Sequence, residues 1–406
     1  MRYSKSPKYI KTSILSMIAI SFLIVMASFN TSSSESLKSF GFLSLVLLLT
    51  LSCFVLFYFL VKTYKIPRDM INILALAIIL LSIYLIAVFI DSFSTRGVIV
   101  YIQLILVMVF FACISFVKWN ERKIGVISSI VALFILFNFI VYAASGFPFP
   151  FKSFAGNVNV FSALMFFLAF FPLLYFLLIK NKASKLVWFI IICINLILMI
   201  VGQARSIWLA LLISIFIFLF WNRISQTKFI FYSLFWITII TLIAVTFLYP
   251  LAANHPDALL WNQYVRQYTG ANLFSGREDF WLLLIEAIMQ KPLLGYGASA
   301  TPGHFLPIGL SSHNLYIQIA LQAGLTGLGL IWLLLFNIWK LFYYGKNNLY
   351  VRLAGSFFIA MMIYQVFEVS LTQNNLAVGL ILWFIMGIGV SKSLEEKWGM
   401  VLTLIQ

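Results

Sequence analysis

Residues 275–329 read SGREDFWLLLIEAIMQKPLLGYGASATPGHFLPIGLSSHNLYIQIALQAGLTGLG. The stretch opens polar and charged, outside any apolar run of spanning length, and closes inside one. Ser275 followed by Glu278 has the spacing of a capping box. A helix is therefore predicted from about Gly276 to Gln290, stopped by Pro292, Gly295 and Gly297. Arg277 falls in its first turn, where free amides already present partial positive charge. An arginine there needs an anion, and a guanidinium fork beside a helix N-terminus makes a seat for phosphate or diphosphate. The alternative is an exposed pairing with Asp279 or Glu286. Farther on, Ser311 and Ser312 read as N-caps of a helix beginning near Asn314. A helix N-terminus disfavours imidazolium, so His313 is expected to be neutral and able to accept a proton. The alternative is a capping or packing histidine.

Outward from this stretch the chain is strongly apolar: 406 residues, 63% hydrophobic and 9% charged, with mean hydropathy +1.06. Such a composition excludes an ordinary water-soluble domain and indicates an all-α polytopic membrane protein. The formal charge of +16 does not indicate nucleic acid, because the basic residues are scattered at the ends of apolar runs and form no clustered face. Cys53, Cys113 and Cys193 each lie inside an apolar run without CxxC or Cys/His spacing, so neither a metal site nor a disulfide framework is expected. Arg2, Lys5, Lys8 and Lys11 precede the first apolar run, and Val25-Met26-Ala27 is a poor cleavage context. The segment reads as a retained signal anchor.

Twelve spans are predicted, at about 12–29, 40–61, 70–90, 98–117, 124–143, 158–179, 186–202, 206–221, 229–249, 314–337, 353–371 and 376–391. Most Lys and Arg fall on one side, which is thereby cytoplasmic and holds both termini. The other side keeps Lys38, Arg96, Lys152, Arg205, Arg266, Arg277 and Lys291. The chain then divides into spans one to nine (1–249), an extracytoplasmic loop with short helices (250–312) and spans ten to twelve (313–406). No nucleotide is available on the outer side, so a glycosyl donor used there must arrive activated and membrane-bound.

Arg205, in the turn Gly202-Gln203-Ala204-Arg205-Ser206, is either a snorkelling interfacial anchor or part of a cationic site shared with Arg266 and Arg277. Gly324, Gly327 and Gly329 read as close helix packing through small residues. The many Phe and Trp suit lipid-facing and interfacial positions. Glu368 is the acidic residue nearest a span interior, close to the outer end, and no internal repeat is found. Both points weigh against a transporter of lipid-linked sugar, the reading from another functional class.

Three segments carry a family resemblance: GQARSIWLALLISI at 202–215, GREDFWLLLIEAIMQKPLLGYG at 276–297 and SSHNLYIQIALQAGLTGLGL at 311–330. In order and spacing, with the large loop between the ninth and tenth spans, they resemble the O-antigen ligases and the related Wzy-type polymerases. The N-terminal spans match only in number and hydropathy. The resemblance implies a GT-C-like, metal-independent, inverting glycosyltransferase of the bacterial inner membrane, without cofactor, acting at the periplasmic face on a glycan carried by undecaprenyl diphosphate. The acceptor is lipid A core in a ligase, or a second lipid-linked glycan in a polymerase. By the same resemblance Arg205 and Arg277 bind diphosphate and His313 is catalytic. Arg266 and Asn314 are further candidates, and Arg266 has no counterpart in the motifs. The chemistry fits these residue types: a departing diphosphate is a weak base that needs cationic charge, and the attacking hydroxyl must lose a proton to a base such as His313.

Overall fold

The computed structural model of the chain describes residues 9–10, 12–62, 66–269, 272–274, 276, 278–306 and 311–403. Among them the secondary structure is helical, with two isolated bridges, Ile10 to Val117 and Ser32 to Ala155. In chain order come α1 (Ile14–Ala27), α2 (Glu35–Lys62), α3 (Arg68–Ile90), α4 (Thr95–Ser115) and α5 (Glu121–Ala144). These are followed by α6 (Val158–Leu168), α7 (Phe170–Leu178), α8 (Lys182–Val201), α9 (Arg205–Ile224) and α10 (Lys228–Ala253). The rest are α11 (Ala258–Thr269), α12 (Glu278–Gln290), α13 (Leu315–Phe342), α14 (Leu349–Tyr364) and α15 (Leu376–Thr403). Polar side chains set many starts: Ser94, Asn120, Asn157, Thr227 and Asn348 each accept a first-turn amide of the helix that follows.

Among the described residues, eleven stretches are long and apolar enough to cross a membrane. One of them, Val158–Leu178, is the pair α6 and α7, which part at Ala169 because Pro172 has no amide to return to Leu168. The predicted span 353–371 differs. Its helix, α14, has 16 residues, a rise of about 24 Å, short of a hydrocarbon core of about 30 Å. The chain continues as a buried, non-helical segment, residues 365–373. Irregular backbone at such depth survives only inside protein with its polar groups bonded, and here Gln365 bonds much of the turn. Gln365 Oε1 accepts from the amides of Ser370 and Leu371 at 3.2 and 3.3 Å, and its Nε2 donates to Ser370 Oγ at 2.8 Å.

Almost wholly buried, α15 is the central post, packed against α4, α13, α14 and α6. The outward faces carry large apolar side chains such as Phe54 and Phe57 on α2, and Leu212 and Leu219 on α9, as expected where the surrounding solvent is lipid. The aromatic residues are not confined to those faces. Trp119, Trp221, Trp281, Trp339 and Trp383 are fully buried, and each indole N–H donates to a backbone carbonyl at 2.7–3.2 Å. A buried indole must find such a partner, so these residues tie elements together rather than facing lipid.

The expected packing role for the glycines of α13 also changes. Gly324 breaks the helix at φ +68°, ψ −174°. The turn after α12 closes onto the break: Tyr296 N donates to Leu321 O at 2.8 Å, and Leu325 N to Pro292 O at 2.7 Å. A Cβ on Gly324 would stand 2.2 Å from Leu293 O. The close approach is therefore to loop backbone, not to another helix, and a Cβ on Gly329 would meet open space. In consequence residues 280–300 of the predicted outer loop do not project; they pack into the bundle beside α10 and α13.

Candidate active site

The short strap 311–314 before α13 organises the site. Asn314, not Ser311 or Ser312, caps the helix: its Oδ1 accepts from Tyr316 N at 2.9 Å and Ile317 N at 3.2 Å, while Nδ2 donates to Thr246 Oγ1 at 3.2 Å. Both ends of this fully buried amide are thus occupied within the fold. Ser311 Oγ instead accepts from Asn374 Nδ2 at 3.0 Å and His313 N at 3.3 Å. Trp281 Nε1 of α12 donates to Ser312 O at 2.9 Å, and Leu315 N donates to Gln365 O at 2.8 Å. Held from both sides, His313 adopts a left-handed backbone, φ +49°, a region in which Asn, Asp and His are enriched among non-glycine residues.

His313 opens onto a polar cavity of about 440 Å³ at the N-terminal ends of α4 and α6 and beyond the C-terminal end of α14. Glu368, Ser311, Asn374 and Asn375 line it beside the histidine, and Arg96, Asn157 and Thr301 line it from other elements. His313 Nδ1 is 3.5 Å from Glu368 Oε2. Nδ1 itself is inaccessible and makes no hydrogen bond among the described residues, so the 3.5 Å approach is a contact without hydrogen-bond alignment. The side chain as a whole is 24% exposed, and Nδ1 contributes none of this. Around the cavity the backbone is fixed by buried polar groups. Asp91 accepts from Ser299 Oγ at 2.6 Å and Ser299 N at 2.8 Å. Gln318 and Gln322 donate to Ala300 O and Ala298 O at 2.7 and 2.8 Å, and Gln373 Nε2 donates to Gln322 Oε1 at 2.9 Å.

Arg205 does not line that cavity. It begins α9 at the same end of the bundle, where Gly202 lets the preceding turn press against α6: a Cβ on Gly202 would meet Ser162 Oγ at 2.0 Å. Its guanidinium donates to Asn272 O in the loop between α11 and α12. From there contacts run back toward the strap. Leu273 N donates to Asn262 Oδ1 at 2.7 Å, the Phe274 ring lies 5.8 Å from Tyr249, and Tyr249 lies 5.8 Å from Trp281, whose indole holds Ser312. Arg277 and Ser275 lie outside the described residues, so the predicted capping box and anion seat have no geometry here. The helix itself runs Glu278–Gln290, ending at the expected residue. Arg266 is exposed in the last turn of α11 with no ion pair to a described residue. The remaining histidines serve local structure: His255 stacks on Trp261 at 4.8 Å, and His304 Nδ1 accepts from Thr301 N at 3.1 Å.

Beside the Asn314–Thr246 pair lies an apolar groove of about 110 Å³ between α10, α12 and α13, lined by residues that include Leu242, Phe247, Ile285, Met289, Tyr316 and Trp332. The site thus has a polar chamber, and the Asn314–Thr246 hydrogen bond connects its strap to the wall of the apolar groove.

Sequence reasoning left Arg96 among the topology charges and used Glu368 only against a transporter. A carboxylate inside an apolar span was itself a signal for a functional residue. The asparagines at 374 and 375 gave none.

A search of the curated proteins finds no match to this chain. A family model described as O-antigen ligase matches residues 194–332, about a third of the chain. The match takes in Arg205, Arg266, Arg277, His313 and Asn314, and ends before Glu368. The resemblance carried by the three sequence segments is borne out by this match, which lies within a polytopic, all-helical membrane protein.

Proposed function

We propose that the protein is an O-antigen ligase-type glycosyltransferase, moving a glycan from undecaprenyl diphosphate to a hydroxyl of lipid A core at the periplasmic face of the inner membrane. The observation that carries the reading is His313 lining a polar cavity, with the neighbouring Asn314 bonded to Thr246 at the wall of an apolar groove. A polyprenyl-linked sugar has the same division, a polar head on a long apolar tail. The groove takes isoprene units, and the chamber takes the sugars. His313 Nε2 accepts the proton of the acceptor hydroxyl as its oxygen attacks the anomeric carbon. The bond from that carbon to the diphosphate breaks with its electron pair on the departing oxygen. Arg277 and Arg205 neutralise this charge, with Arg205 also holding the loop at Asn272 from which Arg277 follows. Attack opposite the leaving group inverts the anomeric centre, and no metal is required by this scheme.

The break in α13 is a feature that transporters also use to build midplane sites. Here its freed groups bond to the turn at residues 292–296 rather than lining a cavity, which favours the transferase.

Deleting the gene and resolving the lipopolysaccharide by gel tests the reading. Bare core with accumulated lipid-linked polymer is the expected outcome. Core bearing a single repeat identifies a polymerase with a second lipid-linked glycan as acceptor. Unaltered lipopolysaccharide refutes both.

A further inference from the structure

We infer that Glu368 is the positioning residue for His313: its carboxylate takes the Nδ1–H hydrogen bond and thereby leaves Nε2 as the acceptor that faces the cavity. The inference rests on the transferase reading for its chemistry, but on its own geometry for the assignment.

The two side chains come from separate elements. His313 sits on the strap before α13, and Glu368 on the buried segment after α14. Leu315 N to Gln365 O and Asn374 Nδ2 to Ser311 Oγ fasten these elements to each other on both sides of the pair. The carboxylate is 9% exposed and stands 3.5 Å from Nδ1, which is closed to solvent. A buried imidazole N–H without a hydrogen bond is costly, and the Glu368 carboxylate stands 3.5 Å from it. Among the described residues the other charged group facing this cavity is Arg96 of α4.

In neutral imidazole one nitrogen carries the proton and the other accepts, and the bond made by the first decides which. With the proton on Nδ1 toward Glu368, Nε2 takes the hydroxyl proton and the ring becomes imidazolium with a proton on each nitrogen. The carboxylate stabilises that cation without itself being protonated. The Nε2 proton then leaves to solvent and the ring returns to its starting form. The opposite tautomer would present an N–H to the hydroxyl and could not act as base.

The test uses full-length protein in proteoliposomes with a lipid-linked glycan donor, comparing native, Glu368→Gln, Glu368→Asp and His313→Asn. For Glu368→Gln the turnover number is expected to fall on the order of a hundredfold, the scale of lost general-base catalysis, with donor KM little changed. The acid limb of its pH–rate profile moves to lower pH, because the protonated ring has lost its counter-charge. Glu368→Asp recovers part of the rate. Nitrogen-15 spectra of histidine-labelled protein give a readout free of activity, since the chain has 3 histidines and His313→Asn assigns the relevant signals. The native ring should show the Nδ1–H form, and Glu368→Gln a mixture. A native Nε2–H form, or a Glu368→Gln variant with native rate and pH profile, overturns the inference. Full transfer by His313→Asn instead removes the general-base reading itself.

Discussion

At the scale of single residues, the left-handed backbone of His313 decides how its role can be probed. Alanine at φ +49° adds backbone strain of about 1–2 kcal/mol to the loss of the ring, whereas asparagine tolerates this region. His313→Asn is therefore expected to abolish transfer with a melting temperature close to native, as read by thermal unfolding of the purified protein alongside the transfer assay. Arg277→Ala should also abolish transfer. Arg277→Lys should recover little, because a point charge on a flexible stem does not reproduce the fork that grips diphosphate; near-native rates in the lysine variant would disprove bidentate binding. His313, Arg205 and Arg277 were singled out because each stands in a polar motif beside an apolar run; of these His313 lines the cavity, Arg205 does not, and Arg277 lies outside the described residues. Arg96 and Glu368 were not read as site residues, since what marks them is the cavity they share, formed by elements some 270 residues apart in the sequence.

At the scale of elements, hydropathy placed nearly every span, because a run of some twenty apolar residues has few other uses. It could not show where a span departs from regular helix. The predicted run 353–371 conceals the change from α14 to buried irregular backbone, since Val366, Val369 and Leu371 are as apolar as the helix before them. Gly324 was visible as a glycine but not as a break, because the backbone that fills the break comes from residues 292–296. The break makes a strong expectation. Gly324→Ala combines positive φ with a Cβ placed 2.2 Å from Leu293 O, neither of which a side-chain movement relieves. A loss of stability of at least about 2 kcal/mol is expected. Gly329→Ala, facing open space, should be neutral or slightly stabilising through helix propensity. Thermal unfolding in detergent compares the two, and equal midpoints would show that the helix closes over Gly324 in solution.

At the scale of the whole molecule, the two ends of the bundle are chemically different, and the proposed mechanism depends on which way they face. One end is fastened by cations: Lys397 pairs with Asp69 at 2.7 Å, Lys392 with Glu395 at 2.7 Å, and Lys346 and Arg352 donate to the carbonyls of Ser225 and Phe218 at 2.8 Å. The side chains of these ion pairs are partly buried. Their value is directional, since Lys and Arg near span ends are retained in the cytoplasm. The opposite end carries the cavity, Arg205 and α11, whose Leu260, Tyr264 and Tyr268 are exposed. A donor whose diphosphate and sugars lie at the outer leaflet can reach His313 only if that end is periplasmic. Single cysteines introduced as Gln226→Cys, between α9 and α10, and Gln267→Cys, on α11, test this in a chain whose three natural cysteines are replaced. A membrane-impermeant maleimide applied to intact spheroplasts should label position 267, and label position 226 only after permeabilisation. The reverse pattern would put the cavity in the cytoplasm, where nucleotide-activated donors are available, and the lipid-linked donor would no longer be required by the geometry.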